Sequence, residues 1–339
     1  MMRASFEETF TFDLLDTNDN ILGRLNGVQS GGSLDYSVSA DIRGSGSINL
    51  TKTGDVDWLH SRVRVYYNDI PLITAIPKIP AESYDDAQVT MQVDLYDKTM
   101  ILMDDNFGNA YGVAAGSNII TAVKAVIAST GDTKINIESS SATLATTLVW
   151  EANTPKKTIV NDLLNAANYW GIWCDGLGYF TSGPYIAPSY RPVMYDFVDN
   201  EEGMYLPAFE RNYDPFAVPN RYNVIGKTDG NVEALVKSAV DVDPLSPYSY
   251  PLLPWHTITL TGVEYSDAAN LQEIADRQLV ESRQISETFE LSHPYLGFGL
   301  NQVVTFTNAK LGTRRAVVQK MTYSLQTGGL IKSTIRSLV

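Results

Sequence analysis

Between residues 10 and 95, apolar and polar side chains alternate with a period of two, and this pattern limits the fold more than any other feature of the sequence. Successive side chains of a strand point to opposite faces, so the period predicts half-buried β-strands. The clearest run places apolar residues at Val89, Met91, Val93 and Leu95. Three shorter runs repeat it: Phe10, Phe12 and Leu14; Leu34, Tyr36, Val38 and Ala40; Val63 and Val65.

Clusters of turn-forming residues separate these predicted strands. They are Gly31-Gly32-Ser33, Arg43-Gly44-Ser45-Gly46 and Tyr67-Asn68-Asp69. Short strands joined by such turns indicate a small barrel or sandwich. The C-terminal end of the chain returns to the same period, with one predicted face formed by Val317, Met321, Tyr323 and Leu325.

Helical periodicity replaces the alternation in the middle of the chain. A first helix is predicted to begin at the N-cap Ser117 and to end at Gly131. A second is predicted to begin at the N-cap Thr154, with Pro155 in its first turn, and to end at Gly171. Their apolar faces are Ile119, Ile120, Val123, Val126 and Ile127, and Ile159, Val160, Leu163, Leu164 and Ala167. The following stretch, IWCDGLGYF, predicts a tight hairpin around Asp-Gly.

Prolines interrupt residues 196–262, where Arg221–Gly226 is the clearest candidate strand and 242–255 predicts an ordered loop or crossover. A third helix is predicted from Ser266, with Glu273 placed to pair with Arg277 one turn later. Its predicted apolar face is Ala268, Leu271, Ala275 and Leu279. The chain therefore predicts strands, then an α+β unit, then strands again, with β-structure predominant.

The composition of the 339 residues narrows the classes of function. A formal net charge of −14 makes the chain a poor binder of nucleic acid, because neutralising phosphates requires Lys and Arg. Its apolar runs are far shorter than the roughly 20 residues that cross a bilayer, and MMRASFEETF lacks a secretory signal. We therefore expect folding in a cytoplasm and no membrane insertion. The single cysteine, Cys174, excludes an intramolecular disulfide and multi-cysteine zinc motifs.

The stretch DLLDTNDNILGRL offers a candidate metal site, because Asp16, Asn18 and Asn20 alternate as calcium ligands do. A calcium loop also requires glycine at its sixth position and glutamate at its twelfth. Counted from Asp16, those positions hold Ile21 and Gly27. The stretch therefore predicts the tip of a β-hairpin instead of a metal site.

Candidates for catalysis have equally weak support. His60, His256 and His293 form no metal-binding or catalytic spacing, and Ser117 lies in no nucleophile motif. The run 43–47 lacks the Gly-Lys-Ser/Thr end of a phosphate loop and is interpreted as a hairpin turn. Three acid pairs have the residue type of glycosidase carboxylates but no distinguishing context: Asp85-Asp86, Asp104-Asp105 and Glu201-Glu202. We assign no catalytic, cofactor-binding or metal-binding residue.

Aromatic residues are concentrated in one short stretch: Tyr169, Trp170, Trp173, Tyr179, Phe180 and Tyr185. Sugar-binding sites use such rings, but so do cores and subunit interfaces. The core or interface is the preferred interpretation. A carbohydrate-binding or cell-wall-degrading tail protein that uses the cluster near Trp170 remains an alternative.

Four stretches, in this order, resemble the baseplate and tail hub proteins of bacteriophages: 10–50, 108–131, 154–193 and 267–306. The first runs from FTFDLLDTNDN to GSGSINL and resembles the opening hairpin of minor tail proteins. The third begins TPKKTIVNDLL, and the fourth joins a helix to HPYLGFG and a strand. The resemblance covers most of the chain by order and spacing. Relatives often continue into a long C-terminal domain for receptor binding or wall degradation, whereas this sequence ends at Val339, just after the second strand block. We therefore expect any such activity to lie in another protein.

The resemblance implies two small β-barrels with an intervening α+β region. The implied division is a first barrel at 1–103, an α+β domain at 104–195, a crossover with barrel strands at 196–262, and a helix with the second barrel at 263–339. It also implies a homotrimeric hub at the distal end of the tail, which adapts sixfold to threefold symmetry around a DNA channel. The implied neighbours are the distal tail protein, the tape measure protein and tail-tip or fibre proteins, and DNA passes without specific binding. A distal tail adaptor ring is a further alternative.

Overall fold

The computed structural model describes residues 9–85, 88–200, 203–213, 218–228, 233–250, 252–254, 256–283 and 287–338. The fold is mainly β, as the alternation predicts, and helices occur in the middle of the chain and before its last strands. No helix in these ranges has the length and hydrophobicity needed to span a membrane.

Fourteen strands form the main sheet. They are β1 Phe10–Leu15, β2 Ile21–Arg24, β3 Val28–Ser37, β4 Gly44–Thr51, β5 Arg62–Tyr67, β6 Ile70–Pro77, β7 Glu82–Tyr84, β8 Val89–Asp97, β14 Val193–Phe197, β15 Glu210–Tyr213, β19 Glu287–His293, β20 Val303–Asn308, β21 Gly312–Leu325 and β22 Ile331–Ser337. The eight other strands form smaller sheets: β9 Tyr111–Val113, β10 Ile135–Ile137, β11 Leu148–Trp150, β12 Trp173–Cys174, β13 Phe180–Ser182, β16 Arg221–Gly226, β17 Val236–Val240 and β18 Thr257–Val263.

The main sheet joins the two ends of the chain. Its order is β15-β19-β22-β21-β3-β4-β8-β6-β5-β1-β2, so the early and late strand blocks meet where β3 pairs with β21. In this antiparallel ladder Tyr36 lies opposite Met321, and Leu34 lies opposite Tyr323. One apolar core, which includes Val93 and Phe306, receives side chains from both blocks.

Glycines that the sequence assigned to turns lie inside strands. Gly31 and Gly32 belong to β3, where a register shift occurs, and Gly44 and Gly46 begin β4. A Cβ on Gly46 would lie 2.2 Å from the carbonyl oxygen of Ser33, so these glycines permit close approach of two backbones. The chain turns after Ser37 instead, which removes Val38 and Ala40 from the predicted strand.

A β-bulge corrects the face assigned to the C-terminal strand. The register of β21 against β22 shifts between Val318 and Lys320. The extra residue reverses the side-chain alternation, so Val318 and Met321 both face the main core. Val317 is buried but outside that core, and the prediction that it shares a face with Met321 is wrong.

The α+β unit contains three helices, α1 Thr99–Asp104, α2 Ile119–Ala128 and α3 Lys156–Ala166, packed around a second apolar core. Their apolar faces are as predicted, but their caps differ. Asn118, not Ser117, caps α2 by accepting a hydrogen bond from the Thr121 amide. Thr154 makes no capping bond to α3, and Asn168, with φ 53°, follows the end of α3 before Gly171 is reached.

A third unit comprises the strands β16, β17 and β18 and the helix α4, Ala268–Arg283. The three strands pair with one another instead of with the main sheet, and Tyr222, Val224 and Leu271 contribute to their own apolar core. Of the strands in 196–262, β15 pairs within the main sheet, whereas β16 to β18 form a sheet of their own. On α4, Leu271, Ala275 and Leu279 are buried as predicted, whereas Ala268 is exposed.

Candidate functional site

The Asp16–Asn20 stretch closes the β1–β2 hairpin, as predicted. The Asp16 carboxylate accepts hydrogen bonds from the backbone amides of Asn18 and Asn20 at 2.8 and 2.9 Å, and from the Asn20 side chain at 2.8 Å. These bonds lower the pKa of Asp16. Its oxygens therefore organise the turn. Within the described residues, no group of three His, Cys, Asp or Glu side chains is arranged to hold a metal ion.

Asp19, within the predicted hairpin tip, is buried. Its backbone has φ 64°, and its side chain points into the molecule. Its carboxylate lies 2.6 Å from Arg62 and 3.0 Å from Lys98, and Lys98 also contacts Asp132 at 2.5 Å. Lys134 completes this Asp19 cluster, 3.2 Å from Asp19. Burial opposes ionisation of Asp19, but the charge of Lys98 and the hydrogen bond from Arg62 prevail and lower its pKa.

The Asp-Gly hairpin between β12 and β13 docks against the main sheet beside this cluster. Its carbonyl groups accept hydrogen bonds from three side chains of the sheet. These are Lys98 to Gly178 at 2.9 Å, Arg64 to Leu177 at 3.1 Å and Thr74 to Gly176 at 2.8 Å. A Cβ on Gly176 would lie 2.0 Å from the carbonyl oxygen of Pro71. The α+β unit is therefore held to the sheet by buried charges and by backbone contact.

The aromatic stretch forms stacked contacts with cations. The rings of Trp170 and Tyr185 lie 4.6 Å apart, and the Arg191 guanidinium lies 4.8 Å from the Trp170 ring. Arg277 covers Tyr185 at 5.2 Å. Phe180 is fully buried in the second core. These rings pack at a junction between units, which agrees with the core or interface interpretation.

A cavity of about 290 Å³ opens beside Trp170, where the main sheet, the α+β unit and α4 meet. Four arginines line it: Arg43, Arg191, Arg277 and Arg336. We call it the arginine pocket. Among the residues that the structure describes, Glu281 is the only acidic one in its lining. Burial lowers the pKa of each arginine and raises the pKa of Glu281.

The predicted pairing of Glu273 with Arg277 on α4 is replaced by contacts with the end of α3. Glu273 accepts a hydrogen bond from the Asn168 side chain at 3.0 Å, and Arg277 donates to Asn168 at 3.1 Å and to Asn165. The two side chains therefore connect α4 to the α+β unit, and Arg277 extends into the arginine pocket.

The histidines and the cysteine have separate structural contacts. His60 pairs with Asp57 at 2.9 Å on the surface, and His256 contacts the Val218 carbonyl at 3.1 Å. His293 is fully buried and lies 2.7 Å from the Ser333 hydroxyl. Burial raises the pKa of the Cys174 thiol well above its usual value, which disfavours the nucleophilic thiolate.

Of the three acid pairs, the structure describes Asp85, Asp104 and Asp105. Asp105 accepts a hydrogen bond from Lys156 at 2.5 Å at the start of α3, a structural contact. Asp86 and the Glu201-Glu202 pair lie outside the described residues. The backbone of Ser117 accepts a hydrogen bond from the Leu144 amide at 3.1 Å and donates one to the Ala114 carbonyl at 3.2 Å.

The arginine pocket was missed by sequence reasoning because its arginines come from four distant segments. Arg43 lies between β3 and β4, Arg191 precedes β14, Arg277 is on α4 and Arg336 is on β22. No local spacing links them. The four guanidinium groups become neighbours only in the tertiary fold.

The arrangement of strands, α+β unit and returning strands defines a class of fold, that of phage tail and hub-like proteins. Two solved structures match it over nearly their full lengths: a tail protein from Neisseria meningitidis and the 43 kDa tail protein of prophage MuSo2 from Shewanella oneidensis. The Neisseria meningitidis protein is 12% identical and has a TM-score of 0.71, and the match covers 97% of this chain and 96% of that chain. For the second, TM-score is 0.69 at 12% identity, covering 97% and 98%.

A third match extends the class to secretion systems. The Escherichia coli c3393 protein, a component of the type VI secretion system with structural similarity to the T4 bacteriophage tail proteins gp27 and gp5, has a TM-score of 0.59 at 8% identity, covering 96% of this chain and 77% of that chain. No family model and no curated protein matches this sequence. The fold resemblance to tail and hub-like proteins is thereby confirmed.

Proposed function

We propose that this protein is a structural hub at the distal end of a bacteriophage tail. The observation that carries the proposal is the end-to-end match of its fold to tail proteins, which leaves no large part of either chain unmatched. Three copies form a ring that meets sixfold tail symmetry above and threefold tip symmetry below. The protein assembles in the host cytoplasm and lies in the virion, next to the distal tail, tape measure and tail-tip or fibre proteins.

The role is geometric and non-enzymatic. The polar groups described above stabilise turns, helix ends and contacts between units, as Asp16 and Lys156 illustrate. The Asp19 cluster and the docked hairpin support this role, because a component of a ring must keep its structural units in fixed relative positions.

The subunit contact in this proposal includes the edge strand β2. Within the described residues β2 pairs only with β1, and its Ile21 and Leu22 are 61% and 60% exposed. Exposed apolar edges are usually covered in an assembly. Contact of this edge with a different surface of the next copy closes a ring by head-to-tail association.

Measurement of mass in solution tests the proposal. A stable trimer is expected, and the double variant Ile21→Lys, Leu22→Lys should be a folded monomer. Val149→Lys, at a 56% exposed position outside the main sheet, is the matched control and should remain trimeric. A hexamer would indicate a distal tail ring instead. If the chain trimerises only within the tail, a cryo-EM map of the tail tip decides.

The DNA channel is a separate part of the proposal. The net charge of −14 suits a lumen past which DNA slides without being retained. A trimer structure with a net basic lumen would contradict this part. The alternative of sugar binding through Trp170 is tested with cell-wall fragments. Saturable binding that is lost in Trp170→Ala would replace the hub proposal with that of a carbohydrate-binding tail protein.

A further inference from the structure

Positive charge in the arginine pocket exceeds the negative charge that surrounds it. Four guanidinium groups and one carboxylate line the cavity, and burial raises the pKa of that carboxylate, Glu281. Arg277 is buried, and Arg43, Arg191 and Arg336 are partly buried. Charges that are withdrawn from water are normally paired, because the lost hydration is otherwise not compensated. The chain has an excess of acidic residues, yet within the described ranges only Glu281 lines this cavity.

The hydrogen-bond acceptors of Arg191 and Arg277 are neutral. Arg191 donates to the carbonyl oxygens of Asn301 at 2.5 Å and Ile186 at 2.8 Å, and Arg277 donates to the amide oxygen of Asn168 at 3.1 Å. Arg43 lies over the Trp173 ring at 5.5 Å. Such acceptors orient guanidinium groups without neutralising them. The Nη2 atom of Arg191 is buried and has no hydrogen-bond partner.

We propose that the arginine pocket binds a small tetrahedral oxyanion of the phosphate class. Guanidinium groups present paired N–H donors that match the oxygens of phosphate and sulfate. Donors that come from four separate segments suit a tetrahedral anion better than a planar one. The volume of about 290 Å³ accommodates such an ion with bound water.

The bound anion connects parts of the molecule that are distant in sequence. Arg43 and Arg336 belong to the two strand blocks of the main sheet, Arg191 lies between β13 and β14, and Arg277 lies on α4. An anion shared by these groups neutralises their mutual repulsion and fixes the junction. The site therefore stabilises the relative positions of the units, independently of whether the protein is a tail hub.

Thermal unfolding of the full chain tests the site. Millimolar inorganic phosphate, compared with chloride at constant pH and ionic strength, should raise the unfolding midpoint saturably by roughly 2 °C or more. Titration calorimetry with phosphate should give a finite Kd that Arg43→Gln weakens by about tenfold or more, because one charge-assisted hydrogen bond is lost. In chloride, Arg43→Gln should unfold at the wild-type midpoint or above it, because repulsion is relieved.

The controls separate binding from general salt effects and from misfolding. Arg24→Gln, at a half-exposed arginine paired with Asp13 on the hairpin, should retain the full phosphate response. Arg43→Lys keeps the charge but removes the paired donors, and should give an intermediate response. The proposal is overturned if the wild-type protein shows no saturable response, or if Arg43→Gln responds as strongly as Arg24→Gln.

Discussion

Lys98 and Asp19 form an ion pair of 3.0 Å in which both side chains are shielded from water, with 0% and 1% of their surfaces exposed. The pair connects the β1–β2 hairpin tip to the end of β8, at the place where the α+β unit docks. Because the pKa of Asp19 is lowered, its stabilisation is present above the unfolded value of 3.8 and is lost as the pH falls through its folded value.

Removal of one member of this pair should strongly destabilise the protein. Lys98→Met leaves Asp19 and Asp132 buried with fewer cations, and we expect it to lower the free energy of unfolding by about 3–5 kcal/mol. Lys52→Met removes ion pairs with Glu82 and Asp55 at a solvent-accessible site, and should cost much less stability. Chemical denaturation measures both. Equal effects would show that burial of the Asp19 cluster has no energetic consequence.

His293 should give the stability a dependence on pH near neutrality. Burial lowers its pKa from the ordinary 6.5, so the folded state binds fewer protons than the unfolded chain. Stability is therefore fully present above pH 6.5 and decreases as the pH falls below it. His293→Gln should reduce this dependence between pH 7 and 5, whereas His60→Gln, at the surface pair with Asp57, should keep it. Identical pH profiles for all three proteins would contradict the prediction.

The close approach at Gly176 predicts intolerance of any side chain. Gly176→Ala places a methyl group 2.0 Å from the Pro71 carbonyl and should lower the free energy of unfolding by about 1–3 kcal/mol or more. Gly54→Ala is the matched control, because nothing lies within 4 Å of its Cβ position. We expect that variant to change stability by no more than about 1 kcal/mol in either direction. A tolerant Gly176 would mean that the hairpin is not docked.

The shared core of the main sheet predicts an assembly defect. Phe306 is fully buried in it, so Phe306→Asp should prevent folding of the sheet and, under the proposed hub function, produce tail-less particles. Tyr84→Asp, at a 76% exposed position on β7, should yield infectious particles. Complementation of a phage that lacks this gene, followed by electron microscopy, distinguishes the two. If Phe306→Asp formed normal tails, the assignment of the second strand block to the shared core would be wrong.

The sequence predicted those elements whose pattern is local. The β8 alternation, the hairpin at Asp16–Asn20 and the apolar faces of α2 and α3 were all correct, because periodicity and turn residues determine them. The glycines of β3 and β4 were assigned to turns because glycine occurs both in turns and where two strands approach closely. Only the position of the partner strand distinguishes these two cases. The bulge near Lys320 has no sequence signature that distinguishes it from regular alternation.

The functional surroundings were less predictable than the fold. Asp19 looked like part of an exposed turn, but its left-handed backbone directs the carboxylate toward Arg62 and Lys98, which follow it by dozens of residues. The arginine pocket depends on four segments that meet only in the folded chain. Charge balance in a cavity is a tertiary property, so local spacing does not encode it.

The pairing of β3 with β21 has a consequence for biosynthesis. Asp35 and Thr322, which are joined by a side-chain hydrogen bond of 2.7 Å, are 287 positions apart. The edge of β3 therefore remains unpaired while the ribosome makes almost all of the chain, and the main sheet is completed only after release of the C-terminal strands. Such long-range pairing slows folding and leaves nascent chains open to wrong strand partners. A product that terminates before β21 cannot complete the sheet.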